Sequence, residues 1–142
     1  MTPLVQIALG AFLLLLCTGV HIIAFAVIVV SLRRWNIDEN HWVIRSELRK
    51  IAFVLLALLA SHTVQIYIWA GMFYGVGVLE TFETSVYFAL VSYTTLGYGD
   101  VTLGPAFRIF GAMSSIVGVF CVGMSTAFLV GFFTRILAKA EE

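Results

Sequence analysis

Seven consecutive residues, Thr94-Thr95-Leu96-Gly97-Tyr98-Gly99-Asp100, carry the most specific chemistry in the sequence. That chemistry belongs to the backbone. Glycine at alternate positions, Gly97 and Gly99, permits backbone angles that other residues resist. Successive carbonyls can then face one way, whereas along a strand they alternate. A row of such carbonyls, with the Thr95 hydroxyl, can replace the water shell of a monovalent cation. Several copies meeting on one axis would stack these oxygens into rings. Leu96 and Tyr98 would point outwards and hold the ring diameter.

Composition sets what must position this segment. The chain has 142 residues, of which 61% are hydrophobic and 11% charged. Its mean hydropathy is +1.04. Soluble chains carry ~25% charged residues, so an ordinary cytosolic enzyme, a disordered tail and a nucleic-acid binder are excluded. The net charge of zero offers no basic excess to phosphates. Cys17 and Cys121 both lie in apolar runs, which excludes a secreted disulfide scaffold. The composition is that of an integral membrane protein.

The charges are absent from residues 1–32, 51–79 and 109–134. Each run exceeds the ~20 apolar residues that cross a bilayer core. A fourth uncharged run, 84–99, is shorter, and its second half is polar and glycine-rich. It reads as a re-entrant segment, a short helix going in and an extended loop coming out. Bare backbone at that depth requires burial in protein or a wet cavity. The short helix aims its carboxyl end inwards, worth about −0.5 charge, which favours a cation there. The expected fold is all-α, with three membrane helices and a re-entrant helix. The division is an N-terminal helix (1–35), a cytoplasmic connector (36–50) and a unit over 51–138. That unit holds an outer helix (51–79), a short helix (82–94), the loop (95–99) and an inner helix (105–138). Ile37, Ile44, Leu48 and Ile51 share a helical face, so the connector is either an interfacial helix or a plain charged link.

Nothing basic precedes the first run, while Arg33 and Arg34 follow it. That order is the reverse of a signal peptide. A retained helix with its amino end outside is expected. Seven of the eight Lys and Arg residues lie between the first two uncharged runs (Arg33, Arg34, Arg45, Arg49, Lys50) or in the carboxyl tail (Arg135, Lys139), and both are then cytoplasmic. Trp35 and Trp42 are expected at the inner interface and Trp69 at the outer one.

In this context Thr94-Thr95-Leu96-Gly97-Tyr98-Gly99-Asp100 resembles the signature of the potassium channels, over about residues 51–139. The resemblance implies that the carbonyls of Thr95, Leu96, Gly97 and Tyr98, with the Thr95 hydroxyl, coordinate permeating potassium. Gly99 and Thr94 would keep the geometry of this filter. Asp100 would bond to an aromatic residue of the short helix, here Tyr87. Val91 stands where some members have a glutamate. Leu96 departs from the commoner Val or Ile and restrains its backbone less. Potassium is the permeant ion, so no cofactor is implied. A closed ring needs four copies, so the implied partners are three identical subunits and the bilayer of the cell membrane. No nucleic acid or soluble ligand is expected.

Along the third run, Gly111, Ser115 and Gly118 form a small-residue face. Pro105 would occupy the first turn of this helix without losing a hydrogen bond. Gly118 reads either as a hinge, by resemblance, or as a packing contact. Val119, Val122, Thr126 and Val130 share a register that would face the cavity. The Thr126 hydroxyl would face it too, or bond back to its own helix.

His21 and His62 fit no part of the resemblance. Each lies eleven residues from the inner end of its run, ~16 Å deep at 1.5 Å per residue. The imidazoles are expected at the contact between the two helices, bonded directly or through Ser61, Gln65 or a neighbouring subunit. They would serve as a polar contact or as a proton sensor.

A weakly selective cation channel would keep the fold, but the intact Gly97-Tyr98-Gly99 opposes it. A transporter subunit carries four such units in a longer chain. A non-conducting accessory protein would show no flux. No acid–base or metal-ligand spacing favours an enzyme. No span carries an arginine ladder, so no voltage sensor is expected. Seven residues follow Arg135, too few for a ligand-binding domain there.

Overall fold

The computed structural model describes the backbone of residues 1–36 and 44–140, and side chains for 1–35 and 44–138. The described residues form four helices, α1 (Pro3–Asn36), α2 (Ile44–Gly75), α3 (Phe82–Tyr93) and α4 (Arg108–Ala140). Three spans, Pro3–Trp35, Ile44–Gly75 and Arg108–Ala138, are long and apolar enough to cross a membrane. At 1.5 Å per residue each exceeds the ~30 Å hydrocarbon core by several turns.

The second helix departs from the sequence reading at both ends. It begins at Ile44, so the last seven residues assigned to the connector are its first two turns. Lys50 Nζ donates to Glu47 Oε1 at 2.8 Å, one turn apart on a buried face, which lets the helix run through its charged stretch. The rest of the proposed interfacial helix, and Trp42, lie outside the described residues. At the outer end α2 stops at Gly75, four residues short of 79. Val78 N donates to Phe73 O at 3.1 Å and Gly77 N to Tyr74 O at 2.9 Å. With Gly77 at φ +71° this is a Schellman termination, which uses glycine in the left-handed region.

Thr81 caps α3, its Oγ1 accepting from Thr84 N at 3.1 Å, and Glu83 in the first turn faces the positive end. Pro105 does not open α4. It sits in a turn over 105–107, where Phe107 N donates to Gly104 O at 2.9 Å, and the helix starts at Arg108. The opening amides of α4 find their acceptor elsewhere. Gln6 of α1, almost fully buried, accepts from Ile109 N at 3.1 Å and Phe110 N at 3.2 Å through Oε1. A side chain of α1 therefore caps α4, satisfying amides that a helix start leaves without partners.

Trp69, expected as an interfacial anchor, is instead fully buried. Its ring centroid lies 5.5 Å from Phe73 and 5.3 Å from Phe110. These rings join Leu13, Cys17, Val117 and Cys121 in the main core, and Ile28, Val54 and Leu58 form a second one. Lipid tails are as apolar as these side chains, so close packing and hydrogen bonds, rather than water release, hold the helices together.

Candidate functional site

The loop after α3 is built from the helix end outwards. Thr95 N donates to Ser92 O at 3.0 Å and Leu96 N to Val91 O at 3.0 Å. This is again the Schellman pattern, with Thr95 at the position that glycine holds at the end of α2. Thr95 has φ +60°, the sole positive value of a non-glycine residue among the described residues. A β-branched residue there stores strain of order 1–3 kcal/mol. Gly97 N also donates to Val91 O, at 3.2 Å. Gly97 and Gly99 have φ +59° and +80°. The sign of φ thus alternates along 95–99, with Leu96 and Tyr98 negative between the three. Thr94 caps the helix, its Oγ1 donating to Leu90 O at 2.7 Å.

The small-residue face of α4 seats this assembly. Ser115 Oγ donates to Ser92 O at 2.8 Å. A Cβ on Gly118 would lie 1.8 Å from Tyr93 O, and one on Gly111 would lie 2.8 Å from Leu103 Cδ1. Gly118 is therefore a close contact with the backbone at the end of α3, and α4 runs through it as unbroken helix.

Tyr87 Oη donates to Asp100 Oδ2 at 2.5 Å, joining α3 to the far end of the loop. The hydroxyl holds the Asp100 carboxyl below its ordinary 3.8, and the same bond pushes the phenol up. A carboxyl lowered on folding contributes its stability above the ordinary value and loses it as pH falls through the lowered one. The clamp is expected intact at neutral pH and lost only in acid below 3.8. In Tyr87→Phe, Asp100 should titrate closer to its ordinary value in carboxyl NMR. An unshifted Asp100 titration would show that the bond does not form in the membrane.

The two histidines meet, with ring centroids 4.9 Å apart. His21 is fully buried. Its Nδ1 lies 2.9 Å from Ser61 Oγ and 3.2 Å from Gln65 Nε2, and its Nε2 lies 2.9 Å from Ser125 Oγ. His62 Nε2 lies 2.9 Å from the same Ser125 Oγ, and its Nδ1 2.8 Å from Tyr93 Oη. Tyr93 Oη donates to Gln65 Oε1 at 3.0 Å, and Gln65 Nε2 to Ser61 Oγ at 3.3 Å. Ser61 and Gln65 are the partners anticipated from the sequence. Ser125 of α4 and Tyr93 of α3 are not, yet they extend the contact from two helices to all four.

Val119, Val122, Thr126 and Val130 are exposed on one face of α4 in the single chain. Thr126 Oγ1 donates to Val122 O at 3.0 Å, so its hydroxyl is bonded back to its own helix. Leu96 and Tyr98 are also exposed. Among the described residues no cluster of His, Cys, Asp or Glu has the makings of a metal site.

A family model described as ion channel matches residues 51–135. The matched stretch takes in most of α2, all of α3, the loop and most of α4, and leaves out α1. No solved structure matches the chain.

Proposed function

The chain belongs to the ion-channel family, and on that premise we propose that it is a potassium-selective channel, passive and homotetrameric, with residues 95–99 as its filter. The observation that carries this reading is the alternating sign of φ along Thr95, Leu96, Gly97, Tyr98 and Gly99. A strand keeps φ negative and turns its carbonyls to opposite faces in succession. Alternating the sign removes that reversal, so consecutive carbonyls share a side. Four copies then offer stacked oxygen rings from Thr95, Leu96, Gly97 and Tyr98, with the Thr95 hydroxyl below, to a dehydrated potassium ion.

The other residues fall into place around that axis. Thr94 and Gly99 hold the two ends of the filter, and the Tyr87–Asp100 bond ties its outer end to the pore helix α3. Leu96 and Tyr98 are left exposed by the single chain, and the neighbouring copies cover them. Val119, Val122, Thr126 and Val130 line the cavity on the bare face of α4. The basic connector and tail lie on the cytoplasmic side, with the amino end outside.

The test is a bilayer recording in opposed potassium and sodium gradients. The reversal potential is expected near the potassium value, and activation without steep voltage dependence, because the three uncharged runs carry no gating arginines. A reversal midway between the two ions would establish the weakly selective alternative. Steep activation carrying several charges would refute the second half.

A further inference from the structure

The six side chains His21, Ser61, His62, Gln65, Tyr93 and Ser125 form a closed circuit whose hydrogens can be counted. Tyr93 has one hydroxyl hydrogen and gives it to Gln65 Oε1. It therefore accepts from His62 Nδ1. A neutral imidazole protonated at Nδ1 has its lone pair at Nε2, so Ser125 gives its hydrogen to His62 Nε2. Ser125 then accepts from His21 Nε2. That leaves His21 Nδ1 as an acceptor, whose single lone pair takes the hydrogen of Ser61. One hydrogen of the Gln65 amide goes to Ser61 and closes the ring. Turning the amide over and exchanging both tautomers reverses the sense and leaves the count unchanged. In either sense the circuit is satisfied by two neutral imidazoles.

An added proton can sit on an imidazole only by displacing a hydrogen of the circuit. At His62 Nε2 it confronts Ser125, which must turn its own hydrogen away. At His21 Nδ1 it confronts the Ser61 hydroxyl, which must likewise turn its own hydrogen away. Around the ring, α1 contributes Cys17 and the edge of Phe25, and α4 contributes Cys121. The titratable groups facing it are thus the two imidazoles, the Tyr93 phenol and the two thiols. Residues 1–32, 51–79 and 109–134 carry no Asp or Glu to neutralise an imidazolium. A proton bound here is a charge without a counter-ion, and it breaks the circuit that joins four helices.

One of those four is the helix that ends at the filter. Tyr93 is the last residue of α3, its carbonyl rests on Gly118, and Thr95 follows two residues later. We propose that this ring is a buried proton-binding site, and that an added proton releases Tyr93 and α1 together, loosening the filter from behind. Acid then lowers potassium conduction. The proposal rests on the conduction reading for its effect, though not for the proton site itself.

The test uses the full chain in lipid vesicles, with His41→Gln so that two imidazoles remain to report. Histidine nitrogen NMR is recorded beside potassium efflux from about pH 8 to pH 4, the range in which a perturbed imidazole titrates. The His62 ring is expected to gain a proton, the Tyr93 Cζ signal to move with it, and flux to fall about tenfold with the same midpoint. In His62→Gln, whose amide can still donate to Tyr93 and accept from Ser125, flux normalised to its own neutral value is expected to change less than about twofold. Imidazoles that stay neutral while flux falls, a ring that charges while flux holds, or a variant that keeps the parent profile would each overturn the proposal. A chain without flux at any pH would refute the conduction reading alone. The proton site would then stand or fall on whether the Tyr93 signal follows the imidazole.

Discussion

Replacing Gly118 with alanine is expected to abolish ion flux and to lower the melting temperature of the protein. The added Cβ would sit 1.8 Å from Tyr93 O and 2.7 Å from Tyr93 C. Both are backbone atoms, so no rotamer change relieves the overlap. Relief requires α4 and the end of α3 to move apart, against the Ser115–Ser92 bond. Overpacking of a tight interior costs ~1–3 kcal/mol even where side chains can shift, so the cost here lies at the top of that range or above. In the proposed tetramer each of the four copies would carry it. A pure hinge reading makes a different forecast, with altered opening and an unchanged melting temperature. Gly71→Ala is the control, since a Cβ there meets nothing within 4 Å. A melting temperature in Gly118→Ala equal to that of the parent would refute the packing role.

Gly97→Ala is expected to lose ion flux by at least about a hundredfold while leaving the melting temperature near that of the parent. The cause is conformational. A Cβ at Gly97 has room, its nearest neighbour being Thr95 O at 3.9 Å. At φ +59°, however, an L-residue costs roughly 1–2 kcal/mol, and in the proposed tetramer four copies would meet in one ring. The sum is several kcal/mol against a requirement of about 2.8 kcal/mol for a hundredfold effect. Thr95 tolerates a similar φ because helix-end bonds, its own amide to Ser92 O and the next one to Val91 O, close around it. Gly97 has one such bond, to Val91 O at 3.2 Å, and its backbone would relax out of register. Flux in Gly97→Ala equal to the parent's would show that ions do not pass this segment.

The spans were legible because charge is too costly in a bilayer to be placed at random, so uncharged runs mark helices directly. Their ends were less legible. The start of α2 was hidden because Arg45, Glu47, Arg49 and Lys50 look like a connector, and the buried Glu47–Lys50 pair is a tertiary fact. Its outer end was readable in principle. Gly77 is a helix-terminating glycine, but the absence of charge up to Glu80 outweighed it in the sequence reading. Trp69 was misplaced because tryptophan favours interfaces on average, whereas here Phe73 and Phe110 enclose it. Depth counting placed His21 opposite His62. Continued onto the third run it also reaches Ser125, nine residues from the last uncharged position. What no count supplies is the rotation of α4 that turns Ser125, rather than its neighbour Thr126, towards the imidazoles. The strain at Thr95 was likewise invisible, since only the two glycines announce an unusual backbone.

The polar groups of α1 find their partners at the opposite end of the chain. Gln6 waits for amides 103 and 104 residues later, and His21 for a hydroxyl 104 residues later. During synthesis α1 and α2 emerge well before α4, so these groups enter the membrane unsatisfied. Ser61 and Gln65 can occupy one face of His21 early, but Gln6 has only its own segment, through Met1 O, until α4 arrives. Assembly of the bundle is therefore gated by its last helix. Truncated nascent chains that stop short of residue 108 should leave α1 open to cross-linking by lipid or by membrane chaperones, and completion of α4 should shield it in one step.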